Sequence, residues 1–346
     1  MKNILFIGSW LIAACLTFPA MYGQESQLLR LTVHSPALEG NLLGDSPDRK
    51  IVVYLPPSYE ANNDRRYPVI YVIHGNNSGG RRRDLNNFYG APMQEIMDPF
   101  IAEGVIKEMI VVLPDSTNLY GGSQYANSTV SGNWADFIIH DVITYMDENY
   151  RTLAKPESRG LTGHSMGGRV TLCLSLKYPG IFGVVYATSP GQMAFHKTGM
   201  GNEASWRKLL TSKNARPSDN GLRRLLGFSV AFAPNPDLPP YYTDFPMALE
   251  GDELRAVDEV KQRWAAFDPV QMAEKNADPY RELIALQFDC GTSDRIIDSA
   301  RLFSEILTKQ NVPHVFEEYD GGHGDKKAER FRTKVLPMFS KYLAYE

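Results

Sequence analysis

The hydrophobic pattern of the chain alternates between short apolar runs and longer amphipathic segments. Short runs rich in β-branched residues predict buried strands. They follow two β segments within 28–56 and lie at 69–73, 109–113, 158–162, 183–188, 283–288 and 315–319. Apolar residues at helical spacing predict helices at 93–102, 134–150, 165–178, 299–310 and 326–343. This alternation predicts an α/β fold, in which helices cover both faces of a mostly parallel central sheet.

The alternation stops between positions 190 and 283. This stretch contains PNPDLPPYYTDFP, whose prolines are incompatible with a core helix or a central strand. Two interpretations stay open, a lid or substrate wall beside the site and a purely structural excursion. We therefore expect a single domain over residues 27–346, with a long lid-like insertion at 190–283.

The first 23 residues have the pattern of an export signal. Lys2 precedes an apolar run at 4–16 that is too short for a convincing membrane span. The sequence IAAC, ending at Cys15, resembles a bacterial lipobox, which would make Cys15 a lipid anchor. The alternative is cleavage near Gly23, which would release a soluble periplasmic or secreted protein. We expect an exported protein under either alternative.

Charge and cysteine content exclude several classes of function. The formal net charge of -4 and the pI near 6.0 give no general attraction to nucleic acid, so no nucleic-acid partner is expected. Beyond the signal, only Cys173 and Cys290 remain, and we expect them to be separate buried thiols. Without a CxxC motif or a His/Cys cluster, neither a metal nor a cofactor is expected.

The sequence GLTGHSMGG places Ser165 between Gly163 and Gly167. A predicted strand before this stretch and a predicted helix after it are the context of a nucleophile elbow. In such a turn the serine has a strained positive φ, and larger residues at the two glycine positions would collide with neighbouring backbone. We predict that Ser165 is a nucleophile, and that the backbone N–H groups of Met166 and Asn76 form its oxyanion hole.

A serine hydroxyl needs a base to remove its proton. His323 is the best candidate, because the glycines of YDGGHGD leave it room to approach the serine from the loop after the last strand. Two acids lie near the end of the preceding strand. Asp294 is preferred because the turn at 291–293 can lift it over the sheet, and Asp289 is the alternative.

Aromatic and basic residues are candidates for binding the substrate. Tyr241 and Tyr242 in the insertion, together with Trp134, are candidate substrate-binding aromatics that could wall an acyl pocket. The alternative for the tyrosines, which is slightly favoured, is packing within the lid. The basic run Arg81–Arg83 would attract an anionic substrate if it lay at the mouth of the site. Its alternative is a solvated loop.

These motifs together resemble one family of α/β-hydrolases. It includes feruloyl and acetylxylan esterases of carbohydrate esterase family one, S-formylglutathione hydrolase and bacterial mycolyltransferases. The matching stretches, in the family's order, are VVYLPPSYE, YPVIYVIHGNN, GHSMGG, FDCGTSD and GGHGD. The resemblance implies an α/β-hydrolase fold, a triad of Ser165, Asp294 and His323, and an oxyanion hole formed by Asn76 and Met166.

The resemblance also implies a reaction. We expect an exported serine esterase that hydrolyses carboxylic esters through an acyl-enzyme, with feruloyl or acetyl esters of plant polysaccharide as substrates. The alternatives are an acyltransferase of the mycolyltransferase type, a siderophore-ester hydrolase, and a non-catalytic binding protein. The insertion is longer than those of simpler family members, so substrate specificity does not follow from the resemblance.

Overall fold

A computed structural model of the protein describes residues 25–76, 85–195, 201–212 and 214–345. The predicted export signal with Cys15, and the basic run Arg81–Arg83, lie outside these residues. Within the described ranges, no helix is both long enough and apolar enough to cross a membrane.

A sheet of eight strands forms the centre of the protein, in the order β1-β2-β4-β3-β7-β8-β11-β12. The first three strands of that order pair antiparallel, and all the others pair parallel. The strands are β1 Gln27–His34, β2 Asp48–Leu55, β3 Val69–Ile73, β4 Ile110–Pro114, β7 Arg159–His164, β8 Val184–Thr188, β11 Ala285–Gly291 and β12 Val315–Tyr319. Two small ribbons pair β5 Asn127–Ser128 with β6 Gly132–Asn133, and β9 Met247–Glu250 with β10 Glu253–Ala256.

The described part of the chain contains ten helical segments, besides single 3-10 turns at Pro36–Leu38, Leu85–Asn87 and Pro156–Ser158. Two of them, α2 at 134–149 and α10 at 327–342, contain a π-helical stretch, Phe137–Val142 and Phe331–Val335 respectively. The others are α1 Met93–Ala102, α3 Met166–Lys177, α4 Glu203–Thr211, α5 Asn220–Phe232, α6 Asp258–Ala265, α7 Pro269–Lys275, α8 Asp278–Arg281 and α9 Ile297–Lys309.

The sheet separates two hydrophobic cores. Side chains alternate between the faces of a strand, so Val69, Tyr71 and Ile73 of β3 pack in one core, and Ile70 and Val72 pack in the other. Helices α2, α3, α7 and α9 cover the first face, and α1 and α10 cover the second. The predicted α/β fold with helices on both faces is confirmed, and the continuous apolar runs are explained by burial on both sides.

The insertion between β8 and β11 has a hydrophobic core of its own. Helices α4, α5 and α6 pack around Trp206, Phe228, Phe232 and Trp264. These helices were not predicted, because the insertion does not continue the strand–helix alternation of the central sheet and is rich in proline. The stretch 234–246 contains neither helix nor strand, as its prolines indicate.

Cys173 and Cys290 are both free and buried, as predicted. Cys173 lies in α3 and Cys290 lies at the end of β11.

Candidate active site

The nucleophile elbow forms where β7 ends and α3 begins. Ser165 has φ 60° and ψ −118°, the positive φ that the sequence predicts. A Cβ at Gly163 would lie 2.6 Å from the carbonyl oxygen of Ile73, and a Cβ at Gly167 would lie 2.2 Å from the same atom. Both distances are too short for any side chain, so glycine at these positions is what lets the turn close.

The structure brings the three predicted triad residues together. The Nε2 atom of His323 lies 2.8 Å from the Oγ atom of Ser165, and its Nδ1 atom lies 2.7 Å from Oδ2 of Asp294. The Asp294 side chain is fully buried, whereas the imidazole is 38% exposed. With Nδ1–H donating to the carboxylate, Nε2 carries the lone pair that can accept the serine proton.

Asp294 is held by the turn that follows β11. Its backbone N–H donates to the carbonyl of Gly291 at 3.0 Å, and its Oδ1 atom accepts from the N–H of Ile296 at 3.3 Å. The thiol of Cys290 donates to Oδ2 across 3.8 Å. A Cβ at Gly291 would lie only 2.1 Å from the carbonyl oxygen of Gly321, so the acid loop and the histidine loop meet backbone to backbone.

Asp289, the alternative acid, has different partners. Its Oδ2 atom accepts from the Nε atom of Arg330 at 2.8 Å and from the hydroxyl of Tyr186 at 2.9 Å. Arg330 also donates to Glu317 at 2.8 Å. The structure therefore pairs Asp289 with a buried guanidinium and pairs Asp294 with the imidazole of His323.

The space beside Ser165 is kept open by glycine. A Cβ at Gly191 would lie 3.2 Å from Oγ of Ser165 and 3.4 Å from the backbone N atom of Met166. A Cβ at Gly122 would lie 3.1 Å from Nδ2 of Asn76. Of the two predicted oxyanion donors, Asn76 lies on the loop after β3 and lines the same cavity as Ser165, and Met166 is the first residue of α3.

A cavity of about 350 Å³ opens at Ser165. Most of the residues in its wall were not predicted from the sequence, because they lie in loops that have no hydrophobic periodicity. The Nζ atom of Lys327 lies 4.2 Å from the centroid of the Phe88 ring and donates to the Phe88 carbonyl. The lining residues are His74, Gly75, Asn76, Leu85, Phe88, Thr117, His164, Ser165, His323, Gly324 and Lys327.

Two further histidines border this cavity. His74 accepts from the N–H of Ser116 at 2.9 Å through Nε2, and its Nδ1 donates to the carbonyl of Gly75 at 2.8 Å. Burial lowers the pKa of His74, so the ring is neutral and fixes the loop that leads to Asn76. The ring of His164 lies 5.1 Å from that of His323, centroid to centroid.

The predicted substrate-binding aromatics do not line the cavity. The assignment of Trp134 is wrong, because the indole is fully buried under the sheet and donates to the carbonyl of Ser131 at 2.7 Å. Tyr241 packs edge-on against Phe245 and donates to the carbonyl of Ser212, and Tyr242 packs against the same insertion core. These rings are used for packing, which composition alone cannot distinguish from binding.

Within the described residues, no group of three or more His, Cys, Asp or Glu side chains could hold a metal ion.

The family model described as "Putative esterase" matches residues 46–342. Among curated proteins, Esterase Rv1288 of Mycobacterium tuberculosis is 27% identical over 272 residues, which cover 78% of this chain and 51% of that protein. The chain thus spans about half the length of that relative. An endo-1,4-beta-xylanase/feruloyl esterase of Xylanibacter ruminicola is 33% identical over 135 residues, which cover 38% of this chain and 18% of that protein.

Solved structures show the same fold. A ferulic acid esterase superimposes with a TM-score of 0.63 and 20% identity, and the match covers 92% of this chain and 99% of that one. An S-formylglutathione hydrolase from Agrobacterium tumefaciens has a TM-score of 0.58 and 15% identity, covering 93% and 97%. The α/β-hydrolase fold predicted from the sequence is confirmed.

Proposed function

Because the chain belongs to the putative esterase family, we propose that it is a serine esterase that hydrolyses carboxylic esters through an acyl-enzyme. One observation carries the proposal. Ser165, His323 and Asp294 form a continuous chain of hydrogen bonds beside an open cavity. Serine, imidazole and carboxylate in this order are the groups that activate a hydroxyl for acyl transfer.

The reaction would proceed in two halves. In the first, Oγ of Ser165 attacks the ester carbonyl while Nε2 of His323 takes the serine proton and then gives it to the departing alcohol. In the second, water attacks the acyl-enzyme, its proton passes to His323, and the serine leaves with that proton as the acid is released. Asp294 holds the imidazole in the required tautomer and stabilises the imidazolium that forms twice in the cycle.

The negative charge that develops on the carbonyl oxygen needs hydrogen-bond donors in both halves of the reaction. We assign this role to the backbone N–H groups of Met166 and Asn76, beside the serine. Met166 is the first residue of α3, so the positive end of the helix dipole supports the same charge. Removing one such donor in related chemistry costs about 3 kcal/mol of transition-state stabilisation.

The size of the cavity favours a compact acyl group. A volume of about 350 Å³ lies near the low end of about 300–1,000 Å³ for ligand pockets. Leu85 and Phe88 supply an apolar wall, against which a single ring can pack. We therefore propose acetyl or feruloyl esters, including esters linked to carbohydrate, in preference to long acyl chains of the mycolyltransferase type. Similarity to a xylanase/feruloyl esterase supports this proposal.

We also propose that the protein is exported, on the basis of Lys2 and the apolar run that follows it. Fractionation of cells that express the full chain tests export. Palmitate labelling of wild type against Cys15→Ala distinguishes a lipid anchor from a soluble periplasmic or secreted protein.

Hydrolysis of p-nitrophenyl acetate, p-nitrophenyl octanoate and methyl ferulate tests the proposed reaction. Ser165→Ala is expected to lower kcat by about 10³-fold or more. Ser175→Ala is a matched control, because Ser175 is a buried serine on the same helix that bonds only to helix carbonyls. Turnover of Ser165→Ala equal to wild type would refute the nucleophile, and a preference for octanoate would refute the compact acyl group.

The same assay separates the alternative functions. Ester products formed with added xylose would indicate an acyltransferase. Failure of a fluorophosphonate to label Ser165 in the folded protein would indicate a non-catalytic binding protein.

A further inference from the structure

The insertion contains a second cavity that is larger than the one at Ser165. Its volume is about 570 Å³, and no residue that lines it also lines the Ser165 cavity. Its apolar part is formed by Phe195, Trp206, Pro246, Met247, Leu254 and Trp264. This volume lies well within the range of about 300–1,000 Å³ for pockets that bind small molecules.

The walls of this cavity are held by aromatic packing. The ring centroids of Trp206 and Trp264 lie 6.3 Å apart, and both side chains are almost fully buried. Phe195 stacks on Phe232, which in turn stacks on Phe267 at 4.5 Å. A cavity bounded by rings that other rings hold in place is preformed, so a ligand would not need to order its walls.

The rim of the cavity carries balanced charges. Glu203 and Arg207 form an ion pair at 2.8 Å on one turn of α4. Glu253 and Lys261 also line the cavity, so two acidic and two basic side chains surround it, together with the amide of Gln271. A rim without net charge favours a ligand that is itself uncharged but has hydrogen-bonding groups.

We propose that this cavity binds an uncharged molecule with a single-ring apolar body and hydroxyl groups, such as an aryl glycoside. The apolar body would lie between the aromatic walls and Met247, and the hydroxyls would reach the rim. Phe195, in the wall of this cavity, lies four residues after Gly191, which borders Ser165, so a short segment of chain links the wall to the surroundings of the serine. Binding does not depend on the proposed esterase reaction.

Quenching of tryptophan fluorescence by 4-nitrophenyl β-D-xylopyranoside tests this proposal. The probe has no carboxylic ester, so Ser165 cannot turn it over, and its nitrophenyl ring quenches an indole that it contacts. Saturable quenching is expected for the purified full chain, and equally for Ser165→Ala. Met247→Arg is expected to raise Kd about tenfold or more, because it places a charge in the apolar part of the cavity.

Two further variants keep the test interpretable. Leu254→Arg, on the other strand of the ribbon, introduces the same charge, and both positions are only half-buried, so the fold should persist. Leu238→Arg is the control, because Leu238 is 47% exposed in the insertion and does not line the cavity. Circular dichroism and the thermal midpoint of each variant check its folding.

Three results would overturn the proposal. Quenching that stays linear up to the solubility limit would show that there is no site. Unchanged Kd in folded Met247→Arg or Leu254→Arg would place the ligand elsewhere. Loss of binding after a fluorophosphonate has blocked Ser165 would assign the probe to the Ser165 cavity. Esterase activity measured on the same samples reports separately on the proposed function.

Discussion

Asp294 and Asp289 lie within five positions of each other at the end of β11, and both carboxylates are buried. The triad region, formed by Ser165, His323 and Asp294, pairs its carboxylate with a partly exposed imidazole. The Asp289 network, formed by Asp289, Arg330, Tyr186 and Glu317, pairs its carboxylate with a buried guanidinium. An imidazole can take up and release a proton near neutral pH, whereas a guanidinium stays charged. The partner, more than burial or place on the strand, therefore decides what each carboxylate can do.

The two regions are nevertheless connected. The N–H of Ser189 donates to Asp289, and the Ser189 hydroxyl lies 3.0 Å from that of Tyr319, just before the histidine loop. Arg330 lies in α10, which follows the same loop. The Asp289 network thus anchors two loops, the one after β8 that contains Gly191 and the one after β12 that contains His323. It does not contact the reacting atoms.

The largest expected difference between the two regions is in kcat, when each carboxylate is replaced by an amide. Asp294→Asn is expected to lower kcat about 10³–10⁴-fold, because an amide does not hold the required tautomer of His323. Asp289→Asn is expected to retain most of kcat. Steady-state hydrolysis of p-nitrophenyl acetate measures both, and equal losses of kcat in the two variants would show that the two carboxylates do not differ in their contribution to the reaction.

Removing the guanidinium should affect stability more than the reaction. Arg330→Met leaves the Asp289 carboxylate buried without its cation, and the free energy of unfolding is expected to fall by about 3 kcal/mol. Urea denaturation measures the change. Arg301→Met is the matched control, since Arg301 pairs with Glu318 on the surface and should change stability little. A similar loss in both variants would contradict the anchoring role.

Cys290 lies between Asp289 and Asp294 in the sequence, and its thiol donates to the Asp294 carboxylate. Replacing it tests whether this hydrogen bond positions Asp294. Burial raises the pKa of the Cys290 thiol, so it stays protonated and can donate to Asp294. Loss of this weak bond in Cys290→Ala is expected to lower kcat by about two- to tenfold, and Cys290→Ser should restore it. Cys173→Ala, which removes the other buried thiol, is the control. Wild-type kcat in Cys290→Ala would show that the thiol does not position the acid.

The smallest expected effect concerns the pH dependence of stability. The hydrogen bond from Arg330, with help from Lys334, lowers the pKa of Glu317 to about 2, from 4.5. A carboxyl whose pKa is lower in the folded state stabilises the protein above pH 4.5 and loses that contribution as the pH falls towards 2. Glu317→Gln should therefore flatten the unfolding free energy over this window, but only slightly, because the carboxylate is 39% exposed.

Urea titrations at several pH values between 2 and 5 measure this slope. Glu305→Gln, on the exposed face of α9, controls for the loss of one negative charge. An identical slope in wild type and Glu317→Gln would mean that the hydrogen bond from Arg330 does not lower the pKa of Glu317 in the folded protein.

The local sequence determined the strands, the elbow at Ser165 and the family, because each of these depends on residues that are close together in the chain. Continuous β-branched runs predict strands because a strand between two helical layers is apolar on both faces. The elbow at Ser165 was predictable because its strained φ and the crowding at Gly163 and Gly167 arise within one turn. The family was predictable for the same reason, since its motifs are contiguous stretches. The preference for Asp294 rested on the turn that follows β11.

Tertiary structure alone decided which distant groups meet. The pairing of Asp289 with Arg330, 41 positions later, leaves no trace in local spacing. Trp134 and Tyr241 were indistinguishable from ligand-binding aromatics until the structure showed Trp134 buried under the sheet and Tyr241 packed, half-buried, against the insertion core. Phe88 and Lys327 became neighbours of Ser165 only because parallel strands bring their loops to one edge. The wall of a cavity is formed by residues that are far apart in the sequence, and the hydrophobic periodicity of the chain does not predict which of them meet.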